Sequence, residues 1–243
     1  MKNAEQTCQQ QLEELKKEYE EFAYIVSHDL KAPLRAISNL SEWIREDLGE
    51  NLEPDVKQNI TLLQSRTERM ERMINGLLVF SRVPRYDLEI KPVNVQELLE
   101  LVVTNLDKEQ NVVVHASNLP TLTTYSKKLE TVFVHLLQNA ITYTQQVTPE
   151  IWVEATEQEE HFLFKVKDNG IGIPAEAHEK VFKMFYSIQP KDLQANLGVG
   201  LTICRKILQF VGGSIWLESE PGTGSVFTFL WPKSLETSFV APQ

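Results

Sequence analysis

The sequence predicts an α-helical hairpin that forms a dimeric four-helix bundle, followed by a two-layer α/β sandwich. Over residues 11–81 apolar side chains recur at alternating steps of three and four, which is typical of helices packed along a seam. After Val83-Pro84 the apolar residues fall into shorter helical and alternating runs. Two alternating runs are separated by a short acidic turn, as in a β-hairpin. We therefore expect a helical domain over residues 1–84 and an α/β domain over residues 85–243.

The first helix carries a long apolar stripe. The stripe consists of Leu12, Leu15, Tyr19, Phe22, Val26, Leu30 and Leu34. Its last two steps are both of four residues, which resembles a stutter in a heptad repeat. Pro33 removes a backbone hydrogen bond in this region, so we expect it to bend the helix. The heptad-like start near Gln11 predicts a helix that continues from an upstream sensor domain.

The second helix follows a turn bracketed by Gly49 and Pro54 and repeats the stripe. Its members are Val56, Ile60, Leu63, Thr67, Met70, Ile74 and Leu77. A hairpin with one apolar stripe on each helix needs a second surface to cover both stripes. A second copy of the chain provides one and makes a homodimeric four-helix bundle. The alternative is a long hairpin packed on the rest of its own chain.

The second half predicts mixed helices and hairpins. Helices are expected at 95–106, 126–143, 175–185 and 200–210, and strands at 112–115, 151–155 and 162–166 and in a final hairpin over 214–230. Elements of both kinds in this order are typical of a two-layer α/β sandwich.

Composition excludes several classes of protein. Hydrophobic residues make up 42% of the 243 residues and charged residues 24%, which is ordinary for a globular protein. A net charge of −10 without a long Lys/Arg cluster argues against nucleic acid as a partner. Cys8 and Cys204 lie too far apart for a metal motif and suggest a reducing compartment. Without a signal peptide or an apolar run long enough to span a bilayer, we expect a cytoplasmic segment that makes no membrane contact.

The first candidate for chemistry is His28. It lies two residues from both Val26 and Leu30, and two helical steps turn the chain by about 200°, so its imidazole should face away from the seam. A neutral imidazole nitrogen is a nucleophile near neutral pH. The neighbouring Asp29 can hold the proton on the other ring nitrogen. A packed core histidine is the alternative.

Two further constellations suit a nucleotide. Asp168 ends a predicted strand, and Gly170 and Gly172 allow the backbone to turn sharply and approach a ligand. A carboxylate there can accept a hydrogen bond from an exocyclic amine such as that of adenine, although a plain strand-to-helix turn has the same pattern. Gly198 and Gly200 precede a helix, whose free N–H groups and dipole favour phosphate, although most such glycine pairs are plain loop-to-helix turns.

Taken together, these motifs and their order resemble those of a sensor histidine kinase of the HisKA class followed by the GHKL-type ATP-binding domain. The sequence of the phosphoacceptor box resembles that of phytochrome-like kinases. The matching segments are the phosphoacceptor box at 27–35, the N box ending in Asn139-Ala140, the first glycine box at 168–173, the F box at 181–186, the second glycine box at 198–203 and the closing Gly-Thr-Gly at 222–224.

The resemblance implies a Bergerat-type ATP-binding fold and a mechanism. His28 would take the γ-phosphoryl group of ATP with Asp29 as base or orienting partner, and pass it to an Asp of a response-regulator receiver domain. Asp168, Gly170, Gly172, Gly198, Gly200 and Leu201 would bind ATP, and Asn139 would bind both ATP and Mg²⁺. A degenerate scaffold that dimerises and docks a receiver domain without phosphorylating itself is the alternative.

The chain departs from the family pattern at five positions. His135 replaces an Asn, Thr142 and Ser187 replace basic residues, Asn196 replaces a Gly, and Ala32 replaces the Thr or Asn of phosphatase-competent relatives. We therefore expect nucleotide binding to survive, phosphoryl transfer to be slow, and phosphatase activity to be weak. Lys183, Lys191 or Arg205 could compensate for the lost positive charge.

Overall fold

The computed structural model describes residues 2–49, 53–107, 111–188 and 197–235. It divides after Arg82 into two compact units, a helical unit and an α/β unit. The domain boundary after residue 84 remains a prediction. No helix among the described residues is both long and apolar enough to cross a membrane.

The helical unit is a hairpin of two helices. Helix α1 spans Lys2–Leu48 and continues through Pro33, and helix α2 spans Pro54–Arg82. Gly49 has a φ of 65°, a left-handed conformation that suits glycine at the end of a helix. The two predicted helices are confirmed, whereas residues 50–52 of the predicted turn lie outside the described residues.

Small side chains line the contact between α1 and α2. The buried residues of the hairpin are Ala23, Ser27, Ser41, Ile60, Thr67 and Ser81. Much of the predicted apolar stripe remains exposed in a single chain, as do other large apolar side chains of both helices. The exposed stripe residues are Leu15, Tyr19, Phe22, Leu30, Val56, Leu63 and Met70, whereas the side chain of Leu12 lies outside the described residues. The hairpin therefore leaves a long apolar surface uncovered.

Seven strands and three α-helices lie in the described part of the α/β unit. They follow the order β1 Ile90–Asn94, α3 Val95–Leu106, β2 Val113–Ser117, β3 Thr121–Tyr125, α4 Ser126–Thr142, β4 Glu150–Glu157, β5 His161–Asp168, α5 Gly200–Val211, β6 Ser214–Ser219 and β7 Ser225–Pro232. A five-stranded sheet has the order β2-β4-β5-β7-β6, in which only β2 and β4 are parallel.

Aromatic side chains form the core between this sheet and α4. Phe164 of β5 stacks on Phe229 of β7 with ring centroids 4.9 Å apart, and Phe133 of α4 meets both rings edge-on at 5.8 Å. Edge-to-face and offset-stacked pairs are the favoured geometries of aromatic rings. The helices cover one face of the sheet, which confirms the predicted two-layer arrangement.

Two features of this unit differ from the sequence-based prediction. The expected helix at 175–185 is wrong, since the chain forms two short 3₁₀ turns, Ala175–Ala177 and Lys180–Phe182. Strands β1 and β3 were not predicted, and they pair antiparallel as a separate two-stranded sheet. The indole N–H of Trp231 in β7 donates to the hydroxyl of Thr124 in β3 over 2.8 Å and links the two sheets.

Candidate functional site

His28 lies on the exposed surface of α1. Its side chain is 72% exposed and that of Asp29 is 71% exposed, and 3.2 Å separates His28 Nδ1 from Asp29 Oδ1. The carboxylate therefore favours the tautomer with the proton on Nδ1, which leaves the Nε2 lone pair directed at solvent. Tyr24, one turn earlier, stacks loosely on the imidazole at 6.4 Å. The predicted outward orientation of His28 is confirmed, and a packed core histidine is excluded within this chain.

Asp168 is a fixed, buried carboxylate at the end of β5. Its Oδ1 accepts hydrogen bonds from the backbone N–H of Gly170 at 2.8 Å and of Ser225 at 3.1 Å. Burial raises the pKa of this carboxyl above its usual range, and the two backbone bonds act in the opposite direction. Because both bonds end on Oδ1, Oδ2 is the oxygen that remains to accept a bond from a ligand.

Helix α4 is attached to the loop that follows Asp168. The carbonyl of Tyr143, the first residue after α4, accepts a 3.0 Å bond from Ile171 N–H. Tyr143 N–H in turn donates to the carbonyl of Asn139. The half-buried side-chain amide of Asn139 makes no hydrogen bond to any described residue, so it is available to a ligand. The structure thus brings the N-box helix and the first glycine box together.

Close backbone approach explains the glycines of this loop. Gly172 has a φ of 71°, and a Cβ on it would lie 1.9 Å from the carbonyl oxygen of Glu220. Gly224 has a φ of 85°, and its Cβ would lie 2.0 Å from the carbonyl oxygen of Asp168. No other residue type fits either position without movement of the backbone. The turn before β7 therefore supports the Asp168 loop directly.

The second pair of predicted glycines lies at the start of α5. Gly198 has a φ of 69° and its carbonyl accepts a 2.9 Å bond from Phe185 N–H. Gly200 opens the helix, and a Cβ on it would lie 3.0 Å from Nδ1 of His135 on α4. No side chain of the described residues caps this helix N-terminus, and Leu201 follows half-buried in the first turn. Its free N–H groups are a chemically suitable place for phosphate.

Three basic residues could replace the positive charge lost at Thr142 and Ser187, and their surroundings differ. Arg205 lies with its guanidinium carbon 4.1 Å from the centre of the Phe182 ring and pairs with Glu179 at 3.3 Å. Lys183 is exposed, and Lys191 and Asn196 lie outside the described residues. Arg205 is therefore committed to contacts within the α/β unit. Burial lowers the pKa of His135, which disfavours a positive charge on this side chain.

Several supporting groups were not predicted as site residues. The backbone N–H of Ser225 holds Asp168, the carbonyl of Tyr143 holds the loop, and Ser219 Oγ accepts a 2.8 Å bond from Ile173 N–H. The Gly-Thr-Gly at 222–224 gave a signal for the first of these, because it places a tight turn just before Ser225. The carbonyl of Tyr143 and the hydroxyl of Ser219 belong to no sequence motif that could have identified them.

Two family models match the chain. Residues 18–85 match the His Kinase A (phospho-acceptor) domain, and residues 124–235 match the histidine kinase-, DNA gyrase B- and HSP90-like ATPase. The first match contains His28 and the second contains the Asp168 and Gly198–Gly200 segments.

Individual relatives agree with these models. The chain is 32% identical over 237 residues to phytochrome-like protein Cph1 of Synechocystis sp., covering 96% of this chain and 32% of that protein. The chain spans about a third of the length of this protein and of two cyanobacterial phytochromes of Nostoc sp. that it also resembles.

Solved structures share the fold. Full-length ShkA in complex with AMPPNP aligns with a TM-score of 0.63 at 21% identity, over 88% of this chain and 46% of that one. Histidine kinase ThkA in complex with response regulator protein TrrA aligns with a TM-score of 0.61 at 22% identity, over 91% and 65%.

Proposed function

The chain belongs to the sensor histidine kinases through the two domains of their catalytic core, and we propose that it uses ATP to phosphorylate His28. The phosphoryl group then passes to an Asp of a response-regulator receiver domain. The observation that carries this proposal is the exposed imidazole of His28 held by Asp29, in the same chain as an ATPase domain whose Asp168 is fixed and buried.

The proposed step is a displacement at phosphorus. The Nε2 lone pair of His28 forms the N–P bond as the bond from the γ-phosphorus to the bridging oxygen breaks, and ADP leaves. Asp29 accepts or shares the Nδ1 proton, which offsets the positive charge that develops on the ring. Transfer to the receiver then breaks the N–P bond and forms an acyl phosphate on the receiver Asp, returning neutral His28.

The α/β unit would bind the nucleotide. Asp168 Oδ2 accepts a bond from the adenine amine, with Gly170 and Gly172 allowing the base to approach the backbone. The α5 N-terminus at Gly198, Gly200 and Leu201 lies where phosphate is favoured. ShkA, which shares this fold, was solved in complex with AMPPNP, and this supports nucleotide binding by the α/β unit without assigning individual residues.

Mg²⁺ fits the chemistry of this site. The available amide oxygen of Asn139 is a hard oxygen ligand of the kind that Mg²⁺ takes, with phosphate oxygens and water completing the set. Bound Mg²⁺ would neutralise charge on the phosphates. The described residues hold no group of three His, Cys, Asp or Glu side chains that could bind a metal unaided. The nucleotide itself is therefore expected to supply most of the ligands.

The proposed partners follow from the same organisation. A second copy would cover the apolar surface of the hairpin and complete a four-helix bundle. A receiver domain would dock near His28, and a sensor domain would act through α1, as the similarity to Cph1 suggests.

The decisive test is incubation of the purified chain with γ-labelled ATP and Mg²⁺, beside a His28→Gln variant. We expect acid-labile label on the wild type alone. Label of equal amount on His28→Gln would overturn the assignment of the acceptor.

A signalling scaffold without catalysis is the second candidate. The observation that favours it is the loss of basic residues at Thr142 and Ser187, together with the engagement of Arg205 by Phe182 and Glu179. Nucleotide binding without any label on His28 would establish this alternative.

A further inference from the structure

Lys128 is a buried cation without a carboxylate partner. Its side chain, in the first turn of α4, is only 3% exposed and makes no ion pair with any described residue. Burial lowers the pKa of its ammonium to about 8, with Asp87 acting in the opposite direction. Burying an ammonium costs free energy unless other groups compensate for lost water. An apolar residue would fill the same space without that cost, so the contacts of the ammonium require an explanation.

The ammonium is held by the backbone of the segment that leaves α2. Lys128 Nζ donates to the carbonyl of Val83 at 2.5 Å and to the carbonyl of Tyr86 at 2.9 Å. The same nitrogen lies 4.6 Å from the centre of the Phe210 ring on α5, a cation–π distance. Lys128 therefore joins three separate pieces of the α/β unit, namely α4, α5 and the segment after Arg82.

A further bond fastens the end of this segment. Ser126 N–H, at the start of α4, donates to the carbonyl of Glu89 at 3.3 Å. Asp87 adopts a φ of 58°, which turns the chain between the two attachment points. The first turn of α4 thus holds the connection at Val83, at Tyr86 and at Glu89, between the end of α2 and the start of β1.

We propose that Lys128 is a positioning residue that latches residues 83–86 to the ATP-binding unit. Residues 83–86 then move with the α/β unit, to which they belong. Without the latch, residues 83–88 would become a longer and more flexible tether. A longer tether lowers the effective concentration of one tethered partner at the other. This catalytic consequence rests on the proposed function, whereas the latch itself does not.

Lys127 offers a matched control. It neighbours Lys128 in sequence but is half-exposed, and its ammonium pairs with Glu130 at 2.8 Å on the helix surface. Lys127→Met and Lys128→Met remove the same charge one residue apart, and only the second removes the bonds to Val83 and Tyr86.

The test is limited proteolysis with an arginine-specific endoprotease, following cleavage of the Arg85–Tyr86 bond by intact mass. We expect Lys128→Met to be cut about tenfold faster than the wild type, since Arg85 and Tyr86 are already exposed and a released segment can adopt the extended backbone that a protease binds. Lys127→Met should match the wild type, and Lys128→Arg, which retains charge and donors, should stay close to it. Equal cutting of Lys128→Met and the wild type would overturn the latch, as would equally faster cutting of Lys127→Met.

Two further measurements separate the latch from other effects. Binding of an ATP analogue should be unchanged in Lys128→Met, while labelling of His28 falls about threefold or more because the tether has lengthened. If Lys128→Met does not fold, Lys128→Gln takes its place under the same criteria. If Lys128→Met is cut faster but neither the wild type nor any variant is labelled at His28, the attachment of residues 83–86 by Lys128 is supported. The proposed kinase activity is then contradicted.

Discussion

At the scale of single residues, Asp168 combines a functional geometry with a cost in stability. Its carboxyl is buried and its pKa is raised, so the folded state binds a proton more readily than the unfolded state does. A raised carboxyl pKa means that stability falls as the pH rises from the unfolded pKa through the folded one. The ionised form of Asp168 therefore destabilises the folded state. The same carboxylate provides the Oδ2 atom that accepts a hydrogen bond from a ligand.

This conflict predicts opposite effects of Asp168→Asn on stability and on binding. The amide oxygen can still accept the bonds from Gly170 and Ser225, but the amide nitrogen in place of Oδ2 cannot accept a bond from adenine. We expect the Kd for ATP to rise about 10- to 100-fold and the Tm at pH 7 to rise by about 2 °C. Calorimetric titration and a thermal melt measure the two. Tight ATP binding by the variant would contradict the role of Asp168.

Ala32 predicts that the chain does not dephosphorylate its partner receiver domain. It lies one helical turn after His28 on the exposed surface of α1, and its methyl group cannot orient a water by hydrogen bonding. We expect a phosphorylated receiver domain to lose its phosphoryl group no faster with the purified chain than alone, in the absence of ADP. Measuring the decay of labelled receiver tests this. Decay clearly accelerated by the wild type and equally by His28→Gln would contradict the prediction, because such loss does not pass through the histidine.

At the scale of elements, the sequence predicted the regular helices and the β4–β5 hairpin because their apolar periodicity is strong. The wrong helix at 175–185 shows where periodicity fails. Phe185 adopts a φ of 62°, which a continuing α-helix cannot contain, and the carbonyl of Phe182 accepts a 3.0 Å bond from Thr202 Oγ1. Thr202 belongs to α5, so local sequence could not reveal this contact.

The missed strands have a different cause. β1 contains Pro92, which normally argues against a strand, but a two-stranded sheet leaves room for a residue without an N–H donor.

At the site, the sequence located Asp168 and the glycines through their motifs. It could not locate the carbonyl of Tyr143 or the N–H of Ser225, because every residue has such groups.

Substitution of two glycines near the Asp168 loop is expected to lower the free energy of unfolding by different amounts. Gly172→Ala places a methyl group 1.9 Å from the carbonyl oxygen of Glu220 at a positive φ. Gly222→Ala also has a positive φ, 83°, but meets nothing within 4 Å. We expect Gly222→Ala to lower the free energy of unfolding by about 1–2 kcal/mol, the cost of the left-handed backbone alone, and Gly172→Ala by clearly more.

Urea denaturation of both variants, followed by tryptophan fluorescence, compares these costs. Gly172→Ala should also weaken nucleotide binding, because the backbone beside Asp168 must shift. Equal destabilisation by the two substitutions would show that the Glu220 contact adjusts without cost.

At the scale of the whole molecule, the exposed stripe of the hairpin predicts self-association. Ile60 and Thr67 of α2 are buried against α1, whereas Leu63 and Met70, which alternate with them, are each 43% exposed. A row of apolar side chains that alternates between buried and exposed is typical of a helix that packs against two neighbours. Within the described residues of the helical unit, α1 is the one neighbour of this kind. The second is expected to come from another copy.

We therefore predict that Leu63→Glu combined with Met70→Glu converts a dimer into a monomer. Leu62→Glu serves as the control, because Leu62 is 49% exposed but lies off the stripe. Each buried carboxylate at a dimer interface would be desolvated without a partner, which costs several kcal/mol. Size-exclusion chromatography with light scattering should give the mass of two chains for the wild type and for Leu62→Glu, and of one chain for the double variant. A double variant that remains dimeric would place the interface on another face of the hairpin, and a monomeric wild type would leave the stripe to a different partner.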